Sequence, residues 1–343
     1  MLSILYSAVH MIVLRRIVAA VFVVLAVSAA SAQTYKAIAN YKVSGSSAKA
    51  IAVDGSSRRL FIAAGDNIAI LNADTGEPAG SISGLTSVQD VLIVPEMKGE
   101  EKVLSTMGYA SDSAGNVMEF SLADLKPLAT IKLDTAGATN ICYDAEAKTI
   151  EAVSAAGALT SIDPATNKVI KSAKLPTGLG QIVCGNMGHV YVADPAGNVV
   201  HVLNHETMEN DGDYPMKSGH NPSGLALDPK GRRLFVTCED GVIEIIDTDS
   251  GFTFIELKGG KGAAYETFAW VPQGKGQWKA AAFVVQQDGT LSGIRMMAYI
   301  NYIMGGQSKL PMGLSHMAYD DKTHHLFITA ISSGAPVVIV AGY

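Results

Sequence analysis

The chain has 343 residues, 48% hydrophobic, with 34 glycines, 26 basic and 32 acidic residues, a composition that suits a compact, turn-rich globule. An acidic chain with no long Lys/Arg run lacks the electrostatic footprint of a duplex-DNA binder. Its three cysteines (142, 184 and 238) form neither a C-x-x-C nor a C-x-x-C-H motif, and an odd count leaves at least one thiol over. Export permits a disulfide among them, but all three lie in strand-like runs, where small buried apolar residues are expected.

The first element is a leader. Arg15 and Arg16 precede the apolar run Ile17–Val27, followed by Ser28-Ala29-Ala30-Ser31-Ala32. A basic region, a short apolar core and a small-residue exit are the parts of a secretory signal peptide, with the cut after Ala32. The apolar run is short for a bilayer span, which needs about 20 residues. Removing residues 1–32 takes the formal charge from −6 to −8 and leaves one domain, 33–343, in a periplasmic or secreted location.

Next comes Tyr35–Val43, a strand with no unit of its own. Then a pattern begins that is clearest in Asn221–Gly251. Gly224–Asp228 alternates like a strand, Pro229-Lys230-Gly231 is a turn, and Leu234–Thr237 and Val242–Asp247 are two further strands. Aligned on Asp228, the equivalents are Asp54, Pro95, Asp144, Gly185, Pro272 and Asp320, a recurrence of about 41 to 49 residues. Aromatics mark most second strands (Phe61, Tyr191, Phe235, Phe283, Phe327), and Asn72, Asp163, Asn204 and Asp247 end third strands. Gly108–Gly115 and Gln273–Trp278 read as exposed loops in the second and sixth units. The last unit stops after its third strand, Val337–Val340. The N-terminal strand supplies the missing one, so the pattern predicts an all-β, seven-bladed β-propeller of four-stranded antiparallel blades, closed by the N-terminal strand.

The Asn-Pro-Ser-Gly-Leu-Ala-Leu-Asp-Pro entry, the LFVT strand and the Ile-Ile-Asp-Thr-Asp-Ser-Gly exit resemble the YVTN repeat of bacterial seven-bladed propellers. The resemblance covers the mature chain, is close in units one and five and poor in two and six. It implies the fold, an exported bacterial protein, and no catalytic motif. WD40-like repeats share the architecture, which hosts lectins, lactonases and interaction scaffolds alike.

Loops entering the innermost strands open on one mouth of the central channel. Five residues before each reference position stand Lys49, Asp90, Thr139, Gly180, Ser223, Thr267 and Ser315. Gln89, Asn140, Gln181, Glu266 and His316 adjoin them, and His220 and Asn221 precede the fifth strand. Such a polar ring around a concave mouth predicts a ligand site for a protein, glycan or small molecule. The expected function is a non-enzymatic, monomeric binding scaffold without a cofactor. The alternative is a lactonase- or hydrolase-type enzyme at the same mouth. Single-stranded nucleic acid on a local basic and aromatic patch is a third reading, opposed by the net charge. His220, Glu266 and His316 come from adjacent units, but their different offsets do not predict a zinc site. His201 and His205 do not share a face. His324-His325 and the pair Asp320-Asp321 read as solvated turn residues. No G-x-S-x-G, P-loop or G-x-G-x-x-G is present.

Overall fold

The computed structural model describes residues 34–98, 101–103, 106–133, 137–185, 187–272, 278–298 and 301–343. Residues 1–33, which include the expected leader, and residues 273–277 of the expected loop Gln273–Trp278 lie outside the described residues. Seven four-stranded antiparallel sheets follow one another along the chain. Their innermost strands are Ile51–Asp54, Val88–Ile93, Ala138–Asp144, Ile182–Cys184, Pro222–Asp228, Ala264–Pro272 and Leu314–Tyr319. Each neighbours the next, and the seventh neighbours the first, so the sheets form a closed ring of blades. Blade 5 shows the plan: Pro222–Asp228, Arg233–Cys238, Val242–Asp247 and Thr253–Lys258, each paired antiparallel with the one before.

Local chemistry sets the turns. Asn72, Asp163, Asn204 and Asp247 accept hydrogen bonds from backbone N–H groups two or three residues on. Four residues on, Gly76, Asn167, Met208 and Gly251 are left-handed, and their N–H groups return to the carbonyl of the Asn or Asp. The innermost strands end alike at Asp54, Asp144 and Asp228, and the seventh just before Asp320, with left-handed Arg58, Lys148, Arg232 and His324 four positions after these Asp residues.

The core lies between blades. Phe61, Tyr109, Tyr191, Phe235, Phe283 and Phe327 are buried on second strands and reach towards the next blade. Phe61 stacks on Phe120 at 5.7 Å, Phe235 on Phe268 at 6.2 Å and Phe283 on Tyr319 at 5.8 Å. Blade 3 breaks the rule: Glu151, opposite Cys142, takes the aromatic's place. Fully buried, Glu151 accepts from Thr149 and Ser161 at 2.7 and 2.8 Å.

Two expectations are corrected. Gly108–Gly115 is not a loop, because Met107–Asp112 is the second strand of blade 2. A Cβ on Gly108 would sit 2.3 Å from the Phe120 ring, so close packing rather than a turn demands the glycine. The cysteines also differ from expectation. Cys142 and Cys184 form a disulfide across Cα atoms 5.8 Å apart, and only Cys238 is a buried free thiol. Their separation of 42 residues is one repeat, which sets them on neighbouring innermost strands.

Closure follows the expected pairing. Lys36–Lys42 runs antiparallel to Ala335–Gly342, from Lys36 opposite Gly342 to Lys42 opposite Val337. Arg58 of blade 1 crosses the same seam to Asp320 of blade 7 at 2.8 Å and also holds Asp74 at 2.6 Å. Asp320 is therefore buried and paired rather than solvated. Arg58→Ala strips the cation from a buried carboxylate and is expected to cost about 2 kcal/mol, read as a lower urea midpoint with an unchanged m-value. An unchanged midpoint would count against this latch.

Candidate functional site: the two mouths of the channel

The strand pairing refines the repeat alignment. Leu92 lies opposite Tyr109 and Thr267 opposite Phe283, as Ala226 lies opposite Phe235. The positions equivalent to Asp228 are thus Val94 in blade 2 and Ala269 in blade 6, not Pro95 and Pro272. Four residues before the corrected positions come Ala50, Asp90, Asn140, Gln181, Gly224, Tyr265 and His316. The next residue is apolar in six blades and is Glu266 in blade 6.

These two levels make a belt at the end of the channel where innermost strands begin. An innermost strand is a sheet edge, and its channel-side N–H groups lack ladder partners. Side chains at this level, from the same blade or from another across the throat, satisfy them. Ile51 N–H donates to His316 Nδ1 (3.4 Å), Ile141 N–H to Asp90 Oδ2 (2.9 Å) and Val91 N–H to Asp90 Oδ1 (2.8 Å). Gln181 Oε1 accepts from Leu225 (2.9 Å) and Glu266 (3.1 Å) N–H, and its Nε2 donates to the Glu266 carbonyl at 3.0 Å. The Tyr265 and His316 rings lie with centroids 3.4 Å apart, and His316 Nε2 is 3.6 Å from Asp90 Oδ1. The belt thus crosses the throat from blade 2 through blades 7 and 6 to blade 4.

Burial dominates its electrostatics. It lowers His316 to about 3, so the ring is neutral at pH 7. Because Nδ1 accepts from Ile51, the proton sits on Nε2. Burial raises Asp90 to about 7, against the opposing N–H bonds of Ile141 and Val91. It also raises the Tyr265 hydroxyl, with the Asp90 charge adding to the shift.

The remaining expected site residues scatter around this belt. Exposed Lys49 donates to Gln89 Oε1 at 2.9 Å, and Gln89 donates to Ser87 O. Thr139 Oγ1 donates to Val153 O, Asn140 Nδ2 to Gly180 O at 3.5 Å, and Ser223 Oγ accepts from Ala264 N–H. These rim hydroxyls serve backbone groups. Ser315 is exposed at a bulge, and Thr267 is half-buried. Asn221 is exposed and left-handed.

His220 is exposed and bonds Asp240 at 3.0 Å, whereas Glu266 and His316 are buried. The three do not converge, and among the described residues no cluster of three His, Cys, Asp or Glu side chains could hold a metal ion. Glu266 points away from the mouth. It packs between blades 5 and 6, where a Cβ on Gly224 would sit 3.0 Å from its Cγ. His201 bonds Asp194 and Asp213, while His205 bonds Asp144. His324 is half-buried and bonds the Tyr319 hydroxyl at 2.8 Å, so it is not simply solvated.

The opposite mouth is open. A cleft of about 490 Å³ lies where the innermost strands of blades 7, 1 and 2 end. Val53, Ile93, Pro95 and Tyr319 supply apolar wall, and Ser56, Asp321 and Lys322 supply polar rim. Blades 2 and 6 carry their extra length on this face. Glu96–Lys98 pairs with Glu101–Val103 as an added hairpin, and all four strands of blade 6 run to nine residues. Sequence reading missed these residues, yet the longer spacing of units two and six was the signal that could have found them.

No protein-family model and no curated protein matches the chain.

Proposed function

We propose that the protein is an exported binding protein that holds a small ligand in the exit mouth of its channel, where the innermost strands end. One observation carries this reading: the entry throat is crossed by the Asp90–His316–Tyr265–Gln181 belt, while the exit end keeps a 490 Å³ cleft with apolar walls and a polar rim. That volume and that mix of surfaces fit small-molecule sites. The ligand has an apolar body for Val53, Ile93 and Tyr319 and hydrogen-bonding groups for Ser56 and Lys322. The disulfide supports export, because such bonds persist in oxidising compartments, and it agrees with the leader-like residues 1–32. Membership of the YVTN-repeat propellers is part of this proposal, supported by the entry and exit residues of blade 5.

The test compares two blocked mouths. Small molecules retained from an envelope extract are measured by native mass spectrometry for wild type, Ser56→Trp at the exit and Lys49→Ala/Asn140→Ala at the entry. Ser56 is exposed, so the tryptophan fills the mouth without disturbing the core. Ser56→Trp is expected to weaken retention at least about tenfold, a loss of about 1.4 kcal/mol, and the entry variant to keep it. The reverse pattern overturns the assignment.

A further inference from the structure

Blade 6 breaks the repeat on the face it turns to blade 7. In each blade the third strand sets one residue opposite the second-strand aromatic, or opposite Glu151 in blade 3. Ile70, Glu119, Ser161, Val202, Ile245 and Val340 hold this place in the other six blades, and all are buried. Blade 6 has Gly293 there, opposite Phe283, with Gly306 beside it on the outermost strand. Both glycines are partly exposed. Ser292 and Ile294, on the face towards blade 5, are fully buried, so solvent reaches Gly293 from the blade 7 side. A Cβ on Gly293 would come no closer than 3.7 Å to a non-neighbouring atom, so the space above it is open.

The flanks of this hollow are polar. Two residues beyond the same place, Asn72, Ser121, Asp163, Asn204 and Asp247 cap turns in five blades. The longer third strand of blade 6 carries Arg295 instead. Arg295 is half-buried, and its stem lies along Gly305, where a Cβ would be 3.3 Å from its Cγ. Its Nε is buried without a hydrogen-bond partner, and no ion pair reaches it among the described residues. On the other flank Ser308 stands opposite Leu291, where blades 1, 2 and 5 place Ile82, Ile131 and Leu257. Leu291 packs against blade 7, which puts Ser308 on the same side, and the Ser308 hydroxyl is buried without a partner. Neither the two outer strands of blade 6 nor the three outer strands of blade 7 contain an Asp or Glu, in a chain with 32 acidic and 26 basic residues. An unpaired guanidinium between acid-free walls is a local site for negative charge.

We propose that the cleft between blades 6 and 7 binds a slender organic anion, whose carboxylate or phosphate pairs with Arg295 and whose body lies over Gly293 and Gly306 towards Ser308. The planar guanidinium fork matches either oxyanion. Arg295 and Leu291, the partner of Ser308, are four residues apart, so the ligand spans about 13 Å along the strand. The missing side chains at Gly293 and Gly306 are what leave it room.

The experiment is calorimetric titration of the full mature protein at low ionic strength with N-acetylglycylglycine and, separately, glycerophosphate. Saturable binding of at least one is expected, and the tighter one identifies the carboxylate or phosphate class. Arg295→Gln should weaken it at least about tenfold, the size of one well-placed charged contact, and Ser308→Ala by a smaller factor. Because Arg295 has no partner to lose, the ligand-free melting temperature should not fall. Gly293→Ala supplies a second variant. Gly293 is not left-handed and the new Cβ clears its neighbours, so the chain should fold as before while the filled floor weakens binding. Absence of saturable binding of either anion overturns the proposal, as does wild-type affinity in Arg295→Gln. Ser56→Trp should bind the anion unchanged, which separates failure here from failure of the channel reading.

Discussion

Raising the pH from about 5 to about 8 is expected to destabilise this protein by several kcal/mol, and Glu266→Gln is expected to remove much of that loss. Glu266 occupies the level where the other six blades place an apolar residue, and it is fully buried there. Burial raises its pKa to about 8, against hydrogen bonding at Thr237. In the unfolded chain the group titrates near 4.5. A raised carboxyl contributes stability that is whole below the unfolded value and is lost as pH climbs towards the folded value. For Glu266 the loss between those pH values is on the order of 3–4 kcal/mol. Asp90 and Glu151, both raised to about 7 by burial, act in the same direction. Asp288 works the other way: burial is outweighed by bonds from Lys309 and Thr290, which hold it at about 2, so its contribution fades only in stronger acid. His316 opposes the carboxyls inside the window: burial holds it at about 3, below its unfolded 6.5, so the stability it lends is lost as pH falls through 6.5 and offsets part, but not all, of the gain from the three carboxyls. Stability should therefore peak near about pH 5. Urea unfolding at both pH values checks this. Glu266→Gln should match wild type at the lower pH and exceed it at the higher. Wild-type stability rising between them would refute the assignment.

That prediction depends on a residue that the repeat pattern located but placed on the wrong level. Blade number, strand order and ring closure were all readable, because turns at Asp54, Asp144, Asp228 and Asp320 rest on local side-chain-to-backbone bonds that recur in register. Local chemistry also misled where tertiary packing overrode it. Gly108 looked like loop because a glycine beside serines is turn-like, yet the Phe120 ring demands it inside a strand. In blades 2 and 6 a proline after an apolar run imitated the reference position, although the added strand length had moved it. Those shifts of one and three residues carried Glu266 into the channel ring and left Tyr265 out of it.

The site was less readable for a physical reason. A polar residue at the mouth of a propeller can either face a ligand or satisfy the backbone edge of the next blade, and composition is the same for both. Asp90, Gln181 and His316 do the second, receiving N–H groups from Ile141, Leu225 and Ile51. The exit cleft draws its walls from Val53, Ile93 and Tyr319, which read along the chain as ordinary strand interior. Only the excess length of units two and six singled out that face.

Replacing both bridged cysteines, Cys142→Ala/Cys184→Ala, is expected to lower stability by about 4 kcal/mol. The bond closes a loop of one repeat, 42 residues apart, and the chain-entropy relation gives this figure for such a loop. It spans innermost strands, so the restraint falls on the contact between blades 3 and 4 rather than within one sheet. Around 300 ordered residues unfold with an entropy that converts this loss to about 6 °C in melting temperature. Dithiothreitol should reproduce the shift in wild type and leave the double variant unchanged. Thiol counting gives an independent check. Cys238 is fully buried, with its thiol pushed up first by burial and then by nearby Glu244, so the folded protein should not react with a disulfide reagent. Denaturation without reductant should expose one thiol, and denaturation after reduction three. Three reactive thiols without reductant would show that the bridge is absent, and with it the support it lends to export.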